Sequence, residues 1–167
     1  WQGVQILKLK TPKTKDVGYI RRTLAEFFMP YAMLYNLRKS PLAATKWDGI
    51  VWYSPSIFFA PIVRKLKKLT NCQTYLIIRD IFPEWAVDMG LMGRGLPYWF
   101  FKLVAYYQYT QANTIGVQTE GNLNYFHKKN KKKQRIEVLN NWLAKPVITH
   151  CSIRINQTTL AGRKIFV

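Results

Sequence analysis

Short apolar runs alternate along this chain with longer stretches in which apolar residues return every three or four positions. Runs rich in β-branched and aromatic residues, too brief for helices, predict buried strands at residues 4–9, 49–53, 74–78, 114–118 and 136–139. Between the first two, Ile20, Leu24, Phe27, Phe28, Tyr31 and Leu34 recur at i, i+4, i+7 and i+8, which predicts a helix that Pro30 kinks or divides. Ser54, Pro55 and Ser56 read as a turn and helix cap, followed by a helix over 57–69 with Phe58, Ile62 and Leu66 on its apolar face. Further helices are predicted over 83–89, 96–111 and 121–127. Strand, helix and strand in repeated units of this size predict an α/β domain with a parallel, doubly wound sheet.

With 167 residues, of which 49% are hydrophobic and 15% aromatic, the chain buries the core of roughly one domain. Cys72 and Cys151 are too few and too far apart for a disulfide framework or a zinc site, and His127 and His150 lack a ligand-spaced partner. No metal and no cofactor is therefore expected. Nothing at the start resembles a secretion signal, and a reducing, cytosolic setting is the expectation. No Walker lysine motif and no glycine-x-glycine-x-x-glycine fingerprint follows a predicted strand, and no glycine-x-serine-x-glycine elbow is present. Gly90, Gly93 and Gly95 follow a helix and read as turn residues. An ATPase, a nicotinamide dehydrogenase and a serine hydrolase are all poorly supported.

The net charge of +18 makes the acidic residues informative. Asp80, Glu84 and Asp88, three of the eight, fall within the stretch from Arg79 to Gly90. Asp80 stands at or just past the carboxyl end of the 74–78 strand, the edge at which open α/β sheets bind ligands. Pro83 suits a helix start, Glu84 complements the positive helix terminus, and Gly90 stops the helix. Two readings stay open: a ligand site, or surface charges that offset nearby lysines.

The basic residues need a partner. They form one run from Lys128 to Arg135 and recur at Lys8, Lys10, Lys13, Lys15, Arg21, Arg22, Arg64, Lys65, Lys67 and Lys68. The 96–109 helix carries aromatics around nearly its whole circumference, as expected of a helix buried on both faces or lying in a membrane interface. It is too short to span a bilayer, which takes roughly 20 apolar residues. Trp99, Lys102, Arg64 and Lys68 are the candidate contacts with an anionic membrane surface. The alternative is a basic nucleic-acid-binding α/β module without catalysis, using residues 128–135 and exposed aromatics. Its weakness is that the aromatics lie in apolar helices and are not interleaved with basic residues on strands, so no nucleic acid is the expected partner. A noncatalytic membrane scaffold leaves Asp80 and Glu84 unexplained.

The ordered set of Asp80, Pro83 and Glu84, then Gly95-Leu96-Pro97-Tyr98, Ile115-Gly116-Val117-Gln118-Thr119 with Gly121-Asn122, and Val138-Leu139-Asn140-Asn141-Trp142 resembles the N-terminal half of family 4 glycosyltransferases. The likeness is greatest to those of bacterial O-antigen and capsule synthesis, including L-fucosamine transferases, and it runs from about Val4 to Val167. It implies the acceptor-side Rossmann-like domain of a two-domain GT-B enzyme over 1–142, with 143–167 as the linker and start of a donor-binding domain. A first strand before Val4 and the donor domain after Val167 are expected to be missing, and the chain alone is expected to be inactive.

The implied reaction is transfer of a sugar, with retention and without an obligatory metal, from a nucleotide-sugar, UDP-linked by expectation, to a polyprenyl-diphosphate-linked saccharide. The setting is the cytoplasmic face of a bacterial plasma membrane, with the enzyme held there peripherally. The resemblance assigns catalysis to Asp80 and Glu84, acceptor binding to Ser54, Ser56 and Arg79, and the donor-side cleft to Thr119, Glu120, Asn122 and Asn141. Ser54 and Ser56 also fit as plain helix caps. Leu143-Ala144 stands where the family commonly has an acidic residue, a departure at the hinge.

Overall fold

The protein is described by a computed structural model over residues 3–54, 56–127 and 134–140. Four parallel strands, β1 (Gly49–Tyr53), β2 (Gln73–Ile78), β3 (Thr114–Val117) and β4 (Arg135–Val138), form one open sheet in the order β1-β2-β3-β4. Helix α1 (Tyr19–Arg38) precedes the sheet, and α2 (Ala60–Thr70) joins β1 to β2. Helices α3 (Glu84–Asp88) and α4 (Leu96–Tyr109) lie between β2 and β3, and α5 (Glu120–His127) between β3 and β4.

The core is a set of apolar rows across one face of the sheet. Trp52, Leu76, Ile115 and Ile136 lie opposite one another from strand to strand, as do Ile78, Val117 and Val138. Against them pack Ile62 and Val63 of α2, Ala105 and Tyr109 of α4 and Phe126 of α5. Leu76, Ile78 and Val117 are fully removed from water, and burial of each such side chain is worth roughly 1.5–3 kcal/mol. On the other face Val51 and Tyr53 are exposed.

The open, all-parallel α/β sheet is as predicted and is consistent with a Rossmann-like arrangement. Among the described residues the strands follow one another in sequence order, and α2, α4 and α5 pack against the same face. An alternation of strands and helices along a sequence carries no record of strand order.

Residues 4–9 differ from prediction: they form no strand, and Val4 and Ile6 are exposed. An apolar run becomes a strand only when a neighbour completes its ladder. This one lies in irregular chain followed by a tie to α1, where the Asn36 side chain donates to the Lys10 carbonyl at 2.7 Å. Pro30 is buried within α1, which continues past it without division. Helix α2 begins at Ala60 instead of 57 and has no side-chain cap, so Ser56 does not cap it. Pro61 explains the later start, because the first turn is where its fixed φ fits and its missing N–H costs nothing.

Gly90, at φ +69°, ends α3 as predicted; the Leu91 N–H turns back to the Ala86 carbonyl at 2.9 Å. Gly116 in β3 has a different task. It lets the Tyr75 side chain of β2 cross it and donate to Glu137 of β4 at 2.9 Å, where a β-carbon would run into the Tyr75 hydroxyl and ring. Burial, with the Glu137 bond adding to it, pushes the Tyr75 hydroxyl up to about 12. Gly116→Ala is expected to displace the ring and cost about 1 kcal/mol through the lost hydrogen bond. In a Tyr75→Ala background the same substitution should be close to neutral, a non-additivity that urea denaturation of the four variants measures.

Candidate functional site

A cleft of about 1060 Å³ opens at the carboxyl edge of the sheet. Its walls come from α1, from the chain leaving β1, from the chain leaving β2 and from the start of α4. At the end of β1 the Ser54 N–H makes one last ladder bond, to the Ile77 carbonyl at 3.0 Å, before the chain turns toward α2. Ser54, Ile57 and Phe58 of this turn line the cleft. Beyond β2 the chain bends through Arg79 and Asp80 into α3, and Asp80 and Phe82 line the facing wall. Ile20 and Leu24 of α1 and Leu96 and Phe100 of α4 make the rest largely apolar. Two of the predicted site residues, Asp80 and Ser54, thus share one cleft.

Glu84 does not line it. This carboxylate faces away into a polar knot between helices, where Lys102 of α4 donates at 2.7 Å and the Tyr125 hydroxyl of α5 donates at 2.7 Å. Burial works to raise the Glu84 carboxyl, but the bonds from Lys102 and Tyr125 outweigh it and hold the group below the ordinary carboxylate value. Lys102 mirrors this: burial lowers it, and the bonds to Glu84 and Tyr98 more than compensate. Its ammonium also lies 4.8 Å from the centre of the Tyr98 ring. The structure therefore separates Asp80, on the cleft wall, from Glu84, which ties α3 to α4 and α5.

The remaining predicted residues divide similarly. Arg79 is exposed and outside the lining; its hydrogen bond to the Tyr53 hydroxyl, ahead of its attraction to Asp80, raises its guanidinium. Ser56 is buried outside the lining, and its hydroxyl has no hydrogen-bond partner among the described residues. Thr119, Glu120 and Asn122 gather at the carboxyl end of β3 and the start of α5, on the same sheet edge but away from this cleft. There Glu120 complements the helix N-terminus. Asn141, Trp142, the basic run 128–133 and the segment 143–167 lie outside the described residues.

Of the expected membrane contacts, Trp99, Arg64 and Lys68 are exposed, and Arg64 donates to the Tyr107 hydroxyl at 3.2 Å. Lys102 is a correction: its ammonium is committed to Glu84 and Tyr98 and is not turned outward. Sequence reasoning also missed the exposed apolar residues at the start of α1, where Tyr19 and Ile20, on the cleft wall with Leu96 of α4, are 90% and 81% exposed; Trp99 and Leu103 are exposed on α4. Among the described residues no helix is long and apolar enough to cross a membrane. A second omission is Gln108, fully buried in α4; the available signal was a lone amide between tyrosines in a largely apolar helix.

Chemically, the cleft offers an acceptor in Asp80, a hydroxyl in Ser54 and, at its α1 wall, Arg22 paired with Glu26 at 2.8 Å. Such a site can orient a ligand hydroxyl against a carboxylate while apolar walls take up a hydrophobic part. No group of three or more His, Cys, Asp or Glu residues that could hold a metal ion occurs among the described residues. Comparison of the chain with family models, curated proteins and solved structures finds no match.

The Glu84 knot sets an acid dependence. A carboxyl held below its ordinary value contributes stability that is complete above that value, 4.5, and is lost as pH falls through the lower folded value. Glu84→Gln is expected to cost about 1–2 kcal/mol at neutral pH. The variant should lose less further stability than the parent on acidification below that range, which melting curves from neutral to acid pH will reveal. Parallel losses in the two proteins would mean that Glu84 is not the group responsible.

Proposed function

We propose that the chain forms the acceptor-side part of a two-domain glycosyltransferase of the GT-B type. On this reading it transfers a sugar from a nucleotide-sugar, UDP-linked by expectation, to a polyprenyl-diphosphate-linked saccharide in bacterial surface polysaccharide synthesis. The observation that carries the reading is Asp80: the first residue of the Asp80, Pro83, Glu84 signature is also the carboxylate on the wall of a large cleft at the carboxyl edge of a parallel sheet. The open α/β architecture is the one the reading requires.

Asp80 is given the task of orienting the acceptor hydroxyl. In a retaining front-face displacement the departing phosphate takes the acceptor proton, so the carboxylate serves through position and electrostatics and need not become protonated. Glu84, given its bonds to Lys102 and Tyr125, acts as the brace of the Asp80 loop instead of a second reacting group. Thr119, Glu120, Asn122 and Asn141 are assigned to the donor side, with the nucleotide-sugar as a substrate held mainly by a second domain. The chain alone is then expected neither to turn over nor to bind donor strongly.

The exposed apolar surface of α1 and α4, in a chain of +18 charge, supports peripheral attachment to an anionic membrane, with Trp99, Arg64 and Lys68 among the contacts. The cytoplasmic face of a bacterial plasma membrane is the proposed setting.

In the enzyme with its donor domain, Asp80→Asn should lower kcat/KM by about 10² to 10³, or roughly 3–4 kcal/mol, with donor affinity and melting temperature little changed. Near-normal turnover with an early melt would make the acidic residue structural. For the membrane, co-sedimentation should show binding to anionic and not neutral vesicles, weakening as salt rises. Tighter salt-dependent binding to single-stranded nucleic acid than to anionic vesicles would favour a nucleic-acid module.

A further inference from the structure

Gln108 is the one fully buried polar side chain of α4, and both ends of its amide are used. Its Oε1 accepts the Phe59 N–H at 3.2 Å, and its Nε2 donates to Ser54 Oγ at 3.0 Å. These partners lie 49 and 54 residues away in sequence and mark the two ends of the turn from β1 to α2. Ser54, Ile57 and Phe58, between and at those ends, line the cleft. One amide thus holds the cleft wall that faces Asp80.

The direction of these bonds has a chemical consequence. The Phe59 N–H can only donate, so the amide oxygen must face it and the NH₂ must face Ser54. Ser54 Oγ therefore accepts from Gln108, and its own proton stays available. Among the described residues no other group takes that proton. We infer that Gln108 is a positioning residue that keeps Ser54 as a hydrogen-bond donor to an oxygen of the ligand in the cleft. Asp80 accepts and Ser54 donates, so the site suits an apolar-bodied ligand that carries both a hydroxyl and an acceptor oxygen such as that of a phosphate or sulfonate. The inference rests on the reading of this cleft as the acceptor site, but it does not depend on the reaction performed there.

The test uses two fluorescent probes on the chain as it stands. Anilinonaphthalene sulfonate has apolar rings and anionic acceptor oxygens; phenylnaphthylamine has the rings without the sulfonate. Ser54→Ala removes the donor. Gln108→Glu, at mildly alkaline pH, keeps the shape and still accepts from Phe59, but its second oxygen now draws the Ser54 proton inward. Each variant is expected to weaken the sulfonate probe about tenfold, the loss of a hydrogen bond to a charged group, while the neutral probe changes by less than about twofold.

A role confined to bracing the turn predicts that Gln108→Glu behaves like the parent, or that both probes weaken together; either result overturns the inference. So does an unchanged sulfonate affinity in Ser54→Ala, or a parent protein that binds neither probe. Should Gln108→Glu fail to fold, the NMR signals of the Gln108 side-chain NH₂ in the parent decide: they should shift on titration with the sulfonate and hold still with the neutral probe. Signals that respond equally to both probes, or to neither, contradict the assignment. Because no sugar donor or turnover enters, failure here is distinguishable from failure of the glycosyltransferase reading, which the Asp80→Asn kinetics test.

Discussion

A carboxylate taken partly out of water must be met by donors, and Glu84 meets that requirement with Lys102 of α4 and Tyr125 of α5. Much of the site's geometry depends on this requirement. Helix α3 is only five residues long, too short to hold its own position, and it emerges from the bend that carries Asp80. By fixing α3 against two longer helices, the knot sets where the chain leaving β2 can run, and so which way the cleft wall containing Asp80 and Phe82 faces. The sheet supplies the edge, but the knot orients what stands on it.

Opposite that wall, a second buried polar group does comparable work. Gln108 spans the turn after β1, so the two loops that frame the cleft are both held by side chains from α4. An apolar helix with two polar residues committed inward, Lys102 and Gln108, is thereby the common support of the site. Its residues Leu96, Trp99 and Leu103 are left exposed, as are Tyr19 and Ile20 of α1. This apolar surface is the feature of the fold that most needs a partner, and a membrane is the partner we propose.

What the sequence made legible follows local physics. The 74–78 run is dense in β-branched and aromatic residues and bounded on both sides, and it became β2 with one added residue. Asp80 could be put at the sheet edge for the same reason. The 4–9 run looks alike locally but lacks a ladder, a property of partners and not of the run. The start of α2 was legible in Pro61 and was misread because Ser54 and Ser56 fit the cap pattern. The role of Glu84 was not accessible, since its partners lie 18 and 41 residues away and only the packing of three helices brings them together. Strand order was equally beyond a reading of periods.

The central claim is that the Asp80 cleft receives the saccharide acceptor. The most direct measurement is an NMR titration of the labelled chain with a short-chain polyprenyl-diphosphate saccharide, following backbone amides residue by residue. The account predicts shifts concentrated at Ser54, Asp80 and Phe82, with those of α5 and β4 little affected. Shifts confined to α5 and β4, or none at saturating acceptor, would contradict it.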